Sequence, residues 1–324
     1  MNNQMKLAIL AIIVVIPLVS FSVWATDSNL QVKQIEDSTK IQAIASFYPL
    51  YDFAKEVGKD KVDVQLLVPA GVEPHDWEPT IQDVQLMQKS NLIIINGIGF
   101  ENWVDSLVEL NYSGEIVDTS VGIIIPDSEI IDEHEADEHE ADEHEADEHE
   151  ADEHNHESGD PHIWLNPVLA KIQVQNIADA FSQHDPQNQQ FYETNAKNYI
   201  KKLDNLDNQI RNELSTCNRD FIAFHDAFSY FADEYDLHQH TIISSNDPHA
   251  EPTAKTLENV INTARELQIQ IIFTEETVDT RVSSVIANEI GGKILVLSPI
   301  EIGEDGNYIS RMTQNLDNLK EALC

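Results

Sequence analysis

QNQQFYETNAKNYIKKLDNLDNQIRNEL, residues 187–214, runs without Gly or Pro through the middle of a 324-residue chain. Its apolar residues Phe191, Tyr199, Leu203, Leu206 and Ile210 recur at helical spacing, and Asp185-Pro186 marks the entry. At ~1.5 Å per residue the stretch predicts a helix of roughly 40 Å, long enough to bridge two lobes. On either side, short apolar runs alternate with helical patterns. Before it, strands are expected at 41–47, 62–68, 92–96 and 116–118, and helices at 50–57, 81–89, 103–110 and 166–183. After it, strands at 221–224, 240–244, 271–274 and 294–297 alternate with helices at 227–235, 253–267, 282–290 and 310–323. Strands that are mostly continuous apolar runs, separated by helices, belong to parallel sheets covered on both faces. The fold class is therefore α/β, with two lobes, each a small parallel sheet flanked by helices, joined by one long backbone helix.

The expected organisation is a signal peptide or N-terminal anchor at 1–25, a flexible tether at 26–40 and an N-terminal α/β lobe at 41–131. An acidic His-rich disordered loop follows at 132–157, then the end of the first lobe at 158–185, the linking helix at 186–216 and a C-terminal α/β lobe at 217–324. In open sheets of this kind ligands sit beyond the C-terminal strand ends, here in the cleft between lobes.

The N-terminus reads as an export signal. Lys6 precedes an apolar run over residues 7–24, broken only by Pro17, Ser20 and Ser22, and Val23-Trp24-Ala25 resembles a cleavage site. A run of that length also just suffices as a retained membrane anchor. Both readings export the rest of the chain to the periplasm or the external cell surface. No Cys follows the run, so a bacterial-type lipid anchor on cysteine is not available. The two cysteines, Cys217 and Cys324, either pair in an oxidising compartment or remain free thiols.

Charge narrows the partners. Residues 127–160 hold eighteen Asp/Glu and no Lys or Arg, which takes −18 from the total of −39 and leaves −21 for the rest. Such a surface argues against nucleic acid, whose phosphates demand a basic face, and suits a protein that gathers cations. Within that stretch Asp-Glu-His-Glu-Ala repeats four times from Asp132 and closes with Asp-Glu-His-Asn-His. It has no large apolar residue to offset the entropy of ordering its backbone. It does present His134, His139, His144, His149, His154 and His156 among carboxylates, a composition that points to accessory, low-affinity metal binding.

Three other histidines stand in more defined contexts. His75 lies in Gly71-Val-Glu-Pro-His-Asp-Trp-Glu-Pro79, His162 in Asp160-Pro-His-Ile-Trp-Leu-Asn-Pro167, and His225 in Phe224-His-Asp-Ala-Phe-Ser-Tyr-Phe231. All three fall on expected strand-end loops, distributed over both lobes, so they converge on one cleft. His238 and His240 form a His-x-His expected just before a strand, which reads as a pair of surface histidines.

These segments resemble the three ligand motifs of the zinc-specific solute-binding proteins of metal ABC transporters, the cluster A-I group. The resemblance runs from Ile41 to Leu323, and Ala250-Glu-Pro-Thr253, Phe273-Thr-Glu-Glu276 and Leu297-Ser-Pro-Ile-Glu301 also match. That family inserts an acidic, His-rich loop between its first two ligand histidines, where the repeat lies here. The resemblance implies His75, His162 and His225 as metal ligands. It leaves the fourth position open. Ser298 stands where some relatives have Asp, and Glu301 matches the Glu that others use, while a water or loop histidine is the remaining choice. Glu301 is the preferred candidate; Glu276 is an acidic residue read as supporting the second lobe.

Three imidazoles and one carboxylate suit tetrahedral Zn2+, here the transported ligand, whereas manganese favours more oxygen ligands. Each ligating imidazole should pass its second nitrogen to an acceptor, and Asp76, Asp160 and Asp226 are the sequence neighbours available. The implied function is capture of Zn2+ outside the cytoplasm and delivery to an ABC permease with its cytoplasmic ATPase. The chain is then a non-enzymatic monomer, associated with the membrane through its N-terminus or the permease. The alternatives are a zinc-dependent hydrolase, disfavoured by the lack of His-Glu-x-x-His, a manganese-specific protein of the same family, and a buffer or adhesin acting through the repeat.

Overall fold

The structure is a computed structural model and describes residues 40–125, 159–244, 250–303 and 306–324. The expected signal or anchor, the tether and the His-rich repeat lie outside the described residues. Among the described residues no helix is long and apolar enough to cross a membrane.

Two four-stranded parallel sheets share one strand order. In the first, β1 (Ile41–Ala45), β2 (Val62–Leu66), β3 (Leu92–Ile95) and β4 (Glu115–Asp118) run in the order β2-β1-β3-β4. In the second, β5 (Asp220–Ala223), β6 (His238–Thr241), β7 (Ile271–Thr274) and β8 (Lys293–Val296) run β6-β5-β7-β8. Every pairing is parallel. The first sheet is joined by α1 (Tyr48–Gly58), α2 (Ile81–Met87) and α3 (Val104–Glu109), and followed by α4 (Pro167–His184) and α5 (Gln189–Leu214). The second carries α6 (Ser229–Glu234), α7 (Ala254–Glu266), α8 (Arg281–Ile290) and α9 (Tyr308–Leu323).

The two-residue period of the strands sorts their side chains into different cores. Ala43, Ala45, Leu92 and Ile94 of the first sheet join a large cluster that also holds Phe221, Ala223, Ile271 and Phe273 of the second. The alternate residues Ile44, Ile93 and Ile95 face a separate outer cluster, as do Ile222 and Ile272 in their own lobe. The lobes are thus fused through one shared apolar interior. Residues of α5 belong to it along the length of the helix, from Tyr192 through Tyr199 and Leu206 to Leu214.

The long helix starts two residues later than its composition predicts. Pro186–Asn188 form a 3-10 turn, and Asp185 accepts hydrogen bonds from Asn188 Nδ2 at 2.6 Å and the Tyr192 hydroxyl at 2.9 Å. The buried aromatic of the first turn is accordingly Tyr192; Phe191 is only partly buried. A second difference concerns β6, expected at 240–244. The strand is His238–Thr241, because the polar His-Gln-His segment pairs in register with Asp220–Ala223 while Ile242 and Ile243 pass into the loop beyond. Cys217 and Cys324 form a disulfide that ties the turn after α5 to the end of α9.

Candidate metal centre

Both lobes place polar residues at the C-terminal ends of their central strands. The crevice lies where strand order reverses, between β1 and β3 and between β5 and β7. His75 follows β2, His225 follows β5, and Glu301 follows β8. His162 stands at the entry to a short 3-10 turn, Ile163–Leu165, that leads into α4.

The structure brings His75, His162, His225 and Glu301 together, with one donor atom from each lying within 4.8 Å of the others. His75 Nε2 is 3.2 Å from His162 Nε2 and 3.2 Å from Glu301 Oε1. His162 Nε2 is 3.3 Å from both His225 Nε2 and Glu301 Oε1, and His225 Nε2 is 4.0 Å from Glu301 Oε1. A tetrahedral zinc bonded at ~2.0–2.1 Å needs its donors about 3.3–3.4 Å apart, so four of these five separations already match.

Three of the four side chains are withdrawn from water. The His162 and His225 rings are 0 % exposed and Glu301 is 2 % exposed, whereas the His75 ring is 10 % exposed. The orientation of the two buried imidazoles is set from behind. His162 Nδ1 is 2.6 Å from Asp160 Oδ1, which also accepts the His162 backbone N–H at 3.0 Å. His225 Nδ1 is 2.6 Å from Glu275 Oε1, which accepts its backbone N–H at 3.2 Å. Each carboxylate leaves Nε2 free to face the cluster. Among the described residues His75 has no such partner; its ring packs edge-on against Phe100 with centroids 4.9 Å apart.

Electrostatics follow from this packing. Burial alone would keep the His162 imidazole neutral, but Asp160 and Glu301 outweigh it and raise its pKa to about 10. Burial opposes charge on Glu301, yet the surrounding His75, His162 and His225 hold its carboxyl well below the usual carboxylate range. Glu73 is pushed up to about 9, by burial and then by the nearby Glu301. These shifts favour a proton on His162, on the side where a cation would sit.

The loop that carries Glu301 is pinned on several sides. Trp164 Nε1 donates to the Pro299 carbonyl at 2.7 Å, a bond from one lobe to the other. Ile300, fully buried, adopts a left-handed φ of 61° immediately before Glu301. Ser298 lies in this loop and not in the cluster; its hydroxyl accepts from Arg311 Nη2 at 2.8 Å and from the Ile300 N–H at 3.1 Å.

Several residues singled out by sequence lie elsewhere. Glu276 pairs with Arg311 at 2.9 Å. Asp226 accepts from Ser229 and Gln239, and takes no part in holding His225. His238 and His240 both face Asp220, at 3.4 and 3.0 Å. The carboxylate missed was Glu275. Strand parity identifies it, since Phe273 and Glu275 alternate onto the inner face just as Phe221, Ala223 and His225 do. Glu73, beside Glu301, was missed as well. The six repeat histidines lie outside the described residues.

Residues 44–322 match the family described as zinc-uptake complex component A, periplasmic. The chain is similar to the high-affinity zinc uptake system protein ZnuA of Bacillus subtilis, 39% identical over 315 residues, which covers 94% of each protein. It is similar in structure to the metal-dependent lipoprotein YcdH of Bacillus subtilis, with a TM-score of 0.71 at 35% identity, covering 88% of this chain and 99% of that one. The Zn(II)-bound ZnuA-like domain of Streptococcus pneumoniae AdcA gives a TM-score of 0.71 at 29% identity, over 87% of this chain and 98% of that domain. The chain belongs to the zinc-uptake complex component A family.

Proposed function

We propose that this protein captures Zn2+ outside the cytoplasm and delivers it to an ABC permease driven by a cytoplasmic ATPase. His75, His162, His225 and Glu301 hold the ion. The observation that carries the reading is the spacing of those four donors, which fits one tetrahedral zinc and leaves no position vacant. A hydrolase needs an open position for an activated water, and Glu301 fills it. Relatives point the same way: one is named a high-affinity zinc uptake protein and another was solved with Zn(II) bound.

Each part of the donor set has a task. Asp160 and Glu275 fix the ring orientation of His162 and His225 and raise their basicity toward the cation. Glu301 supplies the negative charge that offsets desolvation of a divalent ion. Zinc competes with the proton that His162 favours, so capture releases it. Chain export, membrane association through the N-terminus or the permease, and a monomeric state complete the proposal. The histidines from His134 to His156 serve as weaker accessory sites.

Competitive zinc titration tests this. One tight site is expected in the unmodified chain and is weakened in each of His75→Ala, His162→Ala and His225→Ala. It should persist when residues 132–156 are deleted. Loss of tight binding on that deletion would transfer the function to the repeat and overturn the cleft reading.

A further inference from the structure

Glu101 is a buried carboxylate, 8 % exposed, that metal binding as described leaves without a task. Its Oε1 accepts the Ser46 hydroxyl at 2.7 Å and the Asn96 N–H at 2.8 Å, and its Oε2 accepts the Gly97 N–H at 3.2 Å. Ser46 and Asn96 sit directly past the C-terminal ends of β1 and β3, the two central strands of the first lobe. The turn that Glu101 closes is not one the chain adopts by local preference. Gly97, Ile98 and Gly99 take φ of 88°, 58° and 73°, and a β-branched residue such as Ile98 is costly there. Convergent hydrogen bonds on one carboxylate hold it.

Two arms run from this turn to the metal centre. Asn96, fully buried, donates through Nδ2 to the carbonyl of Pro161 at 2.8 Å, the residue before His162. Its Oδ1 is fixed in turn by Gln173 Nε2 at 3.1 Å. On the other side Phe100 supports the His75 ring edge-on, and is itself packed against Phe47 and Trp164 with centroids 4.8 and 5.2 Å away. Both ligands contributed by the first lobe therefore lean on residues flanking the same turn.

We propose that Glu101 is a positioning residue that sets the places of His162 and His75, and so tunes the cleft to a small four-coordinate ion. This rests on the four-ligand reading above. Three donors converge on its carboxylate. An amide of the same shape has one acceptor oxygen and turns an NH2 group toward one of those donors. The turn then relaxes, and the 3.2–3.3 Å spacings around His162 Nε2 are lost with it.

The test compares the full chain with Glu101→Gln and Glu101→Asp. Zn2+ affinity is measured against a competing chelator. Co2+ is then loaded in place of zinc, because its visible absorption is strong in tetrahedral and weak in octahedral surroundings. A merely structural residue would not move that spectrum. Glu101→Gln is expected to lose about tenfold in zinc affinity, the lower end of the range for outer partners of metal ligands, and to weaken the Co2+ bands. Glu101→Asp, which keeps a carboxyl group with two oxygens, should recover part of both. If Glu101→Gln does not fold, Ser46→Ala, which removes one donor, should still lose about two- to threefold, in line with one hydrogen bond. A tight site insensitive to every variant that folds, with an unchanged Co2+ spectrum, overturns the role of Glu101 alone. A tight site that survives His162→Ala in the otherwise unmodified chain overturns the four-ligand reading and this inference together.

Discussion

His75 and the pair His162–His225 meet at one cluster but are built differently. The pair is fully enclosed, and each ring is backed by a carboxylate 2.6 Å behind Nδ1. His75 lies toward the rim, 10 % exposed, with an aromatic edge for support and no carboxylate behind it among the described residues. The enclosed pair is preorganised, since the carboxylates behind it fix its ring orientations before zinc arrives. In the four-ligand proposal, the rim histidine is the one expected to swing away. Ion entry and release are therefore expected on the His75 side, with the enclosed pair as the fixed part of the site.

The largest effect that would break this comparison is the removal of a ligand. His162→Ala and His225→Ala should each cost more than a hundredfold in zinc affinity, beyond the ~10–100-fold range typical of outer partners. His75→Ala should cost visibly less than either, in competitive titration. Equal losses would erase the distinction. Next, Glu275→Gln and Asp160→Asn should each lose about 10–100-fold while leaving the fold intact by circular dichroism. Asp76→Asn and Asp226→Asn, neighbours in sequence only, should change little.

A smaller and continuous effect comes from pH. The folded pKa of His162 is raised from 6.5 to about 10 in the metal-free protein. Its charge therefore contributes stability fully below pH 6.5, and that contribution is lost as pH rises through about 10. Zinc requires the neutral ring, so binding expels this proton. Apparent affinity should climb about tenfold per pH unit between roughly pH 7 and 9, with proton release seen by calorimetry in buffers of differing ionisation heat. A flat profile would mean His162 holds no proton in the empty site. The smallest effect concerns motion. Since the inner faces of both sheets share one apolar cluster with α5, the lobes should tilt by only a few degrees between metal-free and zinc-bound crystals. Rotation by tens of degrees would contradict a fused core.

Much of this was legible in the sequence because it is local. Leu92–Ile95 reads Leu-Ile-Ile-Ile and is buried on both faces, so its strand character shows in any short window. The candidate histidines sit in compact motifs, His75 and His162 beside Pro and close to Trp and His225 between Phe224 and Asp226, and Glu301 lies in a short loop of the same kind. What escaped depends on distance in sequence. Glu275 backs His225 across 50 residues, and strand parity separates it from Glu276 only once β7 and its inner face are located. Asp226 adjoins His225 but is turned toward Gln239 on β6, which adjacency cannot reveal. The strand at His238–Thr241 was misplaced because its pairing with β5 overrides a polar composition. Fusion of the lobes was equally hidden, since one strand's inner residues can be assigned to a shared core only after both sheets are in place.

The central claim is that one zinc is held by His75, His162, His225 and Glu301. A crystal structure of the full chain at one equivalent of zinc, with diffraction at the zinc absorption edge, tests it most directly. A single anomalous peak is expected in the cleft, bound by three imidazole Nε2 atoms and one carboxylate oxygen at ~2.0–2.2 Å. A peak on the repeat histidines with the cleft empty, or a zinc whose fourth ligand is an exchangeable water in place of Glu301, would contradict it.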